Sequence, residues 1–239
     1  MNRAVFKRND ILKPISDFEE IFQLDNAYVW EYLKGTNDTP IRALTDKVIN
    51  ALMPYLENDG KIIELGAGTD FYKSMAPVGQ EYLTSNFISG FDLQLDMTNL
   101  ALEDSSIDAF ISLYAIEHIF DFEKTIKETY RCLKPGGRCI IVSPFLYYYH
   151  AAPDDYFRFT MSALERLFSD FNVLIKLPLG NREMLMAEFY LELDVMGFES
   201  STVSRLMRRF IGALFCAKGI SAGSDSKFAA ANLILCEKK

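Results

Sequence analysis

At 239 residues, 49% of them hydrophobic, the chain is long enough to bury a full core as one domain with elaborations, which is expected over two domains. A net charge of -8 works against a phosphate-binding surface, so no nucleic-acid partner is expected. The four cysteines (Cys132, Cys139, Cys216 and Cys236) lack C-x-x-C spacing, which argues for packed, reduced thiols over a zinc site or a disulfide framework.

Residues 1–20 mix Arg3, Lys7, Arg8, Asp10, Lys13, Glu19 and Glu20 with apolar residues, unlike a signal peptide, and no apolar run reaches membrane-spanning length. The expected compartment is the cytoplasm. Residues 1–60 read as an N-terminal helical cap. Its strongest element runs from Ile41 to Leu56, where Ile41, Leu44, Val48, Leu52 and Leu56 recur at helical spacing behind Pro40.

Lys61 to Phe71, KIIELGAGTDF, predicts a buried strand, a tight glycine turn and a helix opening at Thr69 or Asp70. Such a turn suits a nucleotide-type ligand. Gly66 permits the sharp bend, and Gly68 lets a ligand approach the backbone without a Cβ in the way. Further strands are predicted at 81–86, 91–97, 107–113 and 138–143. A helix between the last two has Asp121 as N-cap, Phe122, Ile126, Tyr130 and Leu133 as its buried stripe, and Pro135-Gly136-Gly137 as its stop. Ser162 and Glu165 form a capping-box pattern for a helix through Phe168, followed by strands at 171–179 and 232–237 around a helical insertion at 181–220. Short strands alternating with helices imply a mostly parallel sheet covered on both faces, with ligands beyond the carboxyl ends of the strands.

From Lys61 to about Phe171 the chain resembles class I S-adenosylmethionine-dependent methyltransferases, in particular the methyltransferase type 11 group. The resemblance is carried by Asp96-Met97-Thr98-Asn99-Leu100, Asp104-Ser105-Ser106-Ile107-Asp108-Ala109-Phe110, Glu117-His118-Ile119 and Leu133-Lys134-Pro135-Gly136-Gly137 in the family's order and spacing. It implies a Rossmann-like α/β fold with seven strands, the last antiparallel, over residues 61–239. It also implies S-adenosyl-L-methionine as cofactor. Gly66, Ala67 and Gly68 would wrap the methionine part with Glu64 beneath its amino group, and Asp96 and Met97 would flank the adenine. Asp70 replaces the family's third glycine. The acidic residue that usually grips the ribose is absent, its place falling on Ser85 or Asn86, a loss worth roughly 1 to 3 kcal/mol of binding.

Methyl transfer needs donor and nucleophile aligned and, for a hydroxyl acceptor, a proton removed. The two histidines, His118 and His150, follow the fourth and fifth strands, and each is a candidate base. His150 lies in Pro144 to Thr160, PFLYYYHAAPDDYFRFT, which resembles H-x-x-P-x-D-Y-x-R-[FY]-T of methyltransferases from glycan and small-molecule pathways. There Tyr156 and Arg158 would orient substrate; the other reading is a structural loop in which Arg158 pairs with Asp154 or Asp155, just as His118 can be a local helix-start residue. No metal is expected. Ubiquinone-biosynthesis O-methyltransferases, which resemble the chain at Glu117-His118, place a third acid where this chain has Tyr114, and adjacent helical residues diverge.

The expected activity is methylation, on an oxygen, of a small molecule, sugar or lipid-linked glycan. The competing expectation is an inactive methyltransferase-fold scaffold. Val203, Leu206, Met207, Phe210, Ile211, Leu214 and Phe215 form a helical stripe opposite Arg205, Arg208 and Arg209, read as core, lid or homodimer packing or as a peripheral membrane contact.

Overall fold

A computed structural model describes residues 40–56, 60–76, 79–151, 153–195, 210 and 227–239. Seven strands form one sheet: β1 (Lys61–Leu65), β2 (Glu81–Asn86), β3 (Leu93–Gln94), β4 (Ile107–Leu113), β5 (Leu133–Pro144), β6 (Phe171–Leu179) and β7 (Ala231–Lys238). Their spatial order is β3-β2-β1-β4-β5-β7-β6, and β7 runs antiparallel to both of its neighbours. The expected α/β sheet with an antiparallel last strand is therefore the architecture found.

Adjacent residues of the central strands serve opposite faces. Ile62, Ile111, Ile140, Leu233 and Leu235 pack with Ile41, Leu44, Val48 and Leu52 of α1 (Pro40–Leu52) and with Met184 and Leu185 of α4 (Arg182–Val195). Ile63, Phe110, Ile141 and Ile234 pack on the other face with Ile126 of α2 (Phe122–Cys132) and Leu164 of α3 (Met161–Leu167). This period-two division is why each strand reads as a continuous apolar run. The five apolar positions read in α1 and its continuation are all buried, and the last turn, Met53–Leu56, tightens to a 3-10 helix.

Four local expectations are corrected. No α-helix follows the glycine turn; a 3-10 turn, Tyr72–Met75, stands there. The third strand is two residues long because the Asp92 carboxylate takes the Thr84 amide at 2.9 Å, a bond that the ladder would otherwise make. Pro135-Gly136-Gly137 lies within β5, where the pairing with β4 slips between Ile107 and Ala109, so it forms a bulge instead of a gap. Thr160, not Ser162, caps α3, its hydroxyl accepting from the Ala163 amide at 3.2 Å. Asp121 does take the N-cap position of α2, though its side chain pairs with Lys124 at 2.5 Å and makes no capping bond.

Residues 1–39 of the expected helical cap lie outside the described residues, as does the 203–215 stripe apart from Phe210, which is exposed. Among the described residues, no helix is long and apolar enough to cross a membrane.

Candidate active site

The loops after β1, β2, β4 and β5 leave the same edge of the sheet, because those strands are parallel. Gly66 turns the chain at φ 73°, and a Cβ built on it would lie 2.5 Å from the Ala115 Cβ. The cradle and the loop after β4 therefore touch at a point that only glycine fits. Gly68 has nothing within 4 Å of its notional Cβ, so it borders open space. Gly66→Ala is expected to cost about 2 kcal/mol or more through backbone strain and overpacking. Gly68→Ala should leave the melting temperature unchanged and weaken S-adenosylhomocysteine binding; thermal melts and titration of the two variants check the contrast.

Glu64 is buried at the end of β1, where the Tyr82 hydroxyl donates to its Oε2 at 2.7 Å. Burial pushes its carboxyl up to about 7, against the opposing hydrogen bond from Tyr82. Ala67 is buried in the turn, its amide donating to Ser85 O at 2.8 Å. Asp96 is exposed at its tip and accepts from the Thr98 amide and hydroxyl through one oxygen, Oδ1. Met97 is buried beneath the turn, with its sulfur 3.7 Å from the notional Gly66 Cβ.

The two candidates for the ribose position are committed elsewhere. Ser85 is buried, and its hydroxyl donates to Glu64 O at 2.8 Å. Asn86 donates from Nδ2 to Ala67 O at 2.8 Å and accepts from the Ile88 amide at 3.2 Å, tying the second loop to the glycine turn. A carboxylate at position 86 would face the Ala67 carbonyl, so the asparagine has a structural reason to be there.

At the end of β4, Tyr114 adopts φ 54°, held by its amide to Val142 O at 2.8 Å and by its hydroxyl against Thr45 Oγ1 at 2.6 Å. That left-handed residue bends the chain sharply into the 3-10 turn Ile116–His118. Glu117 is consequently carried inside, fully buried, with neither carboxylate oxygen hydrogen-bonded among the described residues. Burial pushes it up to about 8.

The loop after β5 closes on this turn. The Tyr156 amide donates to Glu117 O at 2.9 Å, and His118 Nδ1 lies 2.6 Å from Asp154 O. His118 and His150 meet edge to face with ring centroids 5.0 Å apart, and the Nε2 of each is 3.8 Å from Glu117 Oε1. Burial pulls the His150 imidazole below its ordinary value. The two candidate bases thus belong to one cluster, with Glu117 as its third member. Spacing alone could not show this, because 32 residues, including α2 and β5, separate Glu117 from His150. The ground for expecting no metal also changes: Glu117 and His118 are not successive residues of an α-helix, and their side chains converge.

Arg158 is a loop organiser. It forks onto Asp155 at 2.5 and 2.6 Å and donates to the carbonyls of Tyr147, Phe157 and Tyr148. Asp155 in turn accepts the His150 amide at 2.8 Å, and the Arg158 guanidinium holds its carboxyl down at about 2. Arg158 is thus tied by these bonds to the loop that carries His150. Tyr156 is half exposed, its hydroxyl donating to Asp154 at 3.0 Å and its ring edge-on to Phe120.

Phe71, Phe87, Ile88, Phe120, Tyr149 and Tyr156 all lie on loops leaving this edge with their side chains exposed, Phe87 by 70% and Phe120 by 68%. Six large, mostly apolar side chains thus project from loops on one edge, two of them, Phe120 and Tyr156, in edge-to-face contact.

Residues 51–141 match the family model described as "Methyltransferase domain". The ubiquinone/menaquinone biosynthesis C-methyltransferase of Geotalea daltonii is 24% identical over 161 residues, covering 64% of this chain and 62% of that protein. The demethylmenaquinone methyltransferase of Staphylococcus haemolyticus is 30% identical over 105 residues, 43% of this chain and 44% of that one. The chain thus spans less than two thirds of the length of these relatives. Among solved structures, Haemonchus contortus phosphoethanolamine N-methyltransferase 2 in complex with S-adenosyl-L-methionine aligns with TM-score 0.52 at 15% identity, over 95% of this chain and 60% of that one. The YcgJ protein of Bacillus subtilis aligns with TM-score 0.51 at 16% identity, over 80% and 97%. The sheet order and these matches show that the chain has the Rossmann-like fold of class I S-adenosylmethionine-dependent methyltransferases, with residues 51–141 matching the methyltransferase domain model.

Proposed function

We propose that the protein transfers the methyl group of S-adenosylmethionine to a small, hydroxylated aromatic acceptor of phenol or quinol type. The observation that carries this reading is the cluster of Glu117, His118 and His150 on the loops beside the glycine cradle, within an apolar rim. Phe71, Phe87, Ile88 and Phe120 offer no side-chain hydrogen bonds, which favours a flat apolar acceptor over a sugar. In the reaction, the carbon–sulfur bond of the sulfonium breaks with its electrons returning to sulfur. A new bond forms from the methyl carbon to the phenolate oxygen, or to the ring carbon that the phenolate activates, which then loses its own hydrogen as a proton while the oxygen regains one. The acceptor's hydroxyl proton must leave first, and the cluster of Glu117, His118 and His150 is the set of groups placed to promote its loss. The curated relatives, named for quinone C-methylation and for demethylmenaquinone, support an acceptor of this class.

The cofactor's ammonium belongs over Glu64, and this yields a pH dependence. Because burial raises the Glu64 carboxyl to about 7, the empty pocket favours the neutral acid, and its contribution to stability is lost as pH rises through that value. An ammonium requires the anion, so binding below pH 7 must expel a proton. Affinity for S-adenosylhomocysteine is therefore expected to weaken about tenfold between pH 7.5 and pH 6, and to flatten above neutrality. Calorimetry in two buffers of different ionisation enthalpy should show close to one proton released per ligand at pH 6 and none in Glu64→Gln. Absence of binding at millimolar ligand would remove the catalytic reading and leave a methyltransferase-fold scaffold.

A further inference from the structure

We propose that Glu117, His118 and His150 bind one divalent transition-metal cation, which takes the acceptor's hydroxyl as a further ligand. The proposal deepens the reading of this cleft as the acceptor site and rests on it for the cation's role, though not for its binding. Glu117 Oε1 is 3.8 Å from each Nε2, and the three ligand atoms all lie within 4.8 Å of one another.

The tautomers are set from behind. His118 Nδ1 faces the Asp154 carbonyl at 2.6 Å, an acceptor only, so the ring proton is on Nδ1 and Nε2 carries a lone pair. His150 Nδ1 lies 3.3 Å from two acceptors, Tyr148 O and Asp155 Oδ2, with the Arg158 Nη2 donor farther off at 3.5 Å, so the nearer pair favours the same tautomer. A ligating imidazole needs this kind of support on its far nitrogen.

Two lone pairs therefore point at a fully buried carboxylate whose oxygens have no donor among the described residues. Once Glu117 gives up its proton, its carboxylate and the two imidazole nitrogens are all acceptors, and a cation between them satisfies all three at once. Imidazoles with one carboxylate are a ligand set for first-row cations, and three protein ligands leave a position open. Bonds of about 2.0–2.1 Å put tetrahedral ligand atoms about 3.3 Å apart, so small rotamer shifts close the observed spacing. The imidazole side chains keep 17% and 28% exposure, which opens the site toward the cleft. One carboxylate leaves a dication with a single net positive charge, which a phenolate neutralises. Coordination lowers the hydroxyl's pKa, the proton passes to water, and the bound oxygen remains as the nucleophile.

Zinc chloride titrated calorimetrically into the untagged, chelator-stripped full chain should saturate at one ion per chain. Affinity should fall at least tenfold in Glu117→Gln and in His150→Ala. Melts and S-adenosylhomocysteine titration of the same samples separate a lost ligand from a lost fold, and for any variant that does not fold the wild-type Co²⁺ spectrum decides. That spectrum should show the ligand-field bands of a mixed nitrogen and oxygen site. A wild-type chain that takes up no zinc, sulfur-ligated Co²⁺ bands, or Glu117→Gln binding zinc as tightly as wild type overturns the proposal. Cofactor binding without zinc binding removes the cation and leaves deprotonation to the histidines. Zinc binding without cofactor binding removes the methyl-transfer reading and keeps the cation site.

Discussion

Arg158→Ala is expected to lower stability by about 3 to 5 kcal/mol, because it strips the partner from a carboxylate with 1% side-chain exposure. For a chain of this length that corresponds to a fall in melting temperature of about 6 to 20 °C. Three backbone carbonyls, those of Tyr147, Tyr148 and Phe157, lose a donor in the same change. The double variant Arg158→Ala with Asp155→Asn should recover part of the loss, since no buried charge is then left alone. Urea unfolding of the two variants measures the difference. Equal stability of the double and single variants would mean that Asp155 reaches water once Arg158 is gone. In the wild type the Asp155 contribution is present above the ordinary carboxylate range and is lost as pH falls toward about 2.

The sheet was legible because its strands carry two-faced apolar runs bounded by turn residues. Glu81–Asn86, Ile107–Leu113 and Phe171–Leu179 match the expected bounds. Side chains that replace backbone bonds were not legible, since nothing in their spacing says which amide they will take. Asp92 shortens β3 in this way by capturing the Thr84 amide, and Thr160 outcompetes Ser162 for the start of α3. The tight turn after β1 could be placed from Gly66 and Gly68. The site's polar centre could not, because it depends on a left-handed Tyr114 that swings Glu117 inward and on a loop locked by Arg158. Both are tertiary events, visible in the sequence only as a tyrosine where an acid was sought and as an Asp-Asp-Tyr-Phe-Arg run with two readings.

His150→Ala is expected to lower turnover by roughly 10² to 10⁴ once an acceptor is in hand, while S-adenosylhomocysteine affinity stays nearly constant. The expected separation follows from position. The cradle is built from β1, β2 and the Asp96 segment, whereas His150 reaches the cluster from the loop after β5 and touches Tyr147, Tyr148 and His118. Removing it deletes one of the two imidazoles beside Glu117 and leaves the glycine turn intact. His118→Ala should produce a loss of the same order, because the two rings share one carboxylate, and the double variant should lose little more than either single one. That lack of additivity is the signature of groups acting as a unit. Single-turnover methylation assays on the three variants decide between outcomes. Loss confined to His118→Ala would make His118 the acting group and His150 its packing partner. Losses that multiply in the double variant would mean two separate roles, and wild-type turnover in all three would move acceptor activation out of this cluster altogether.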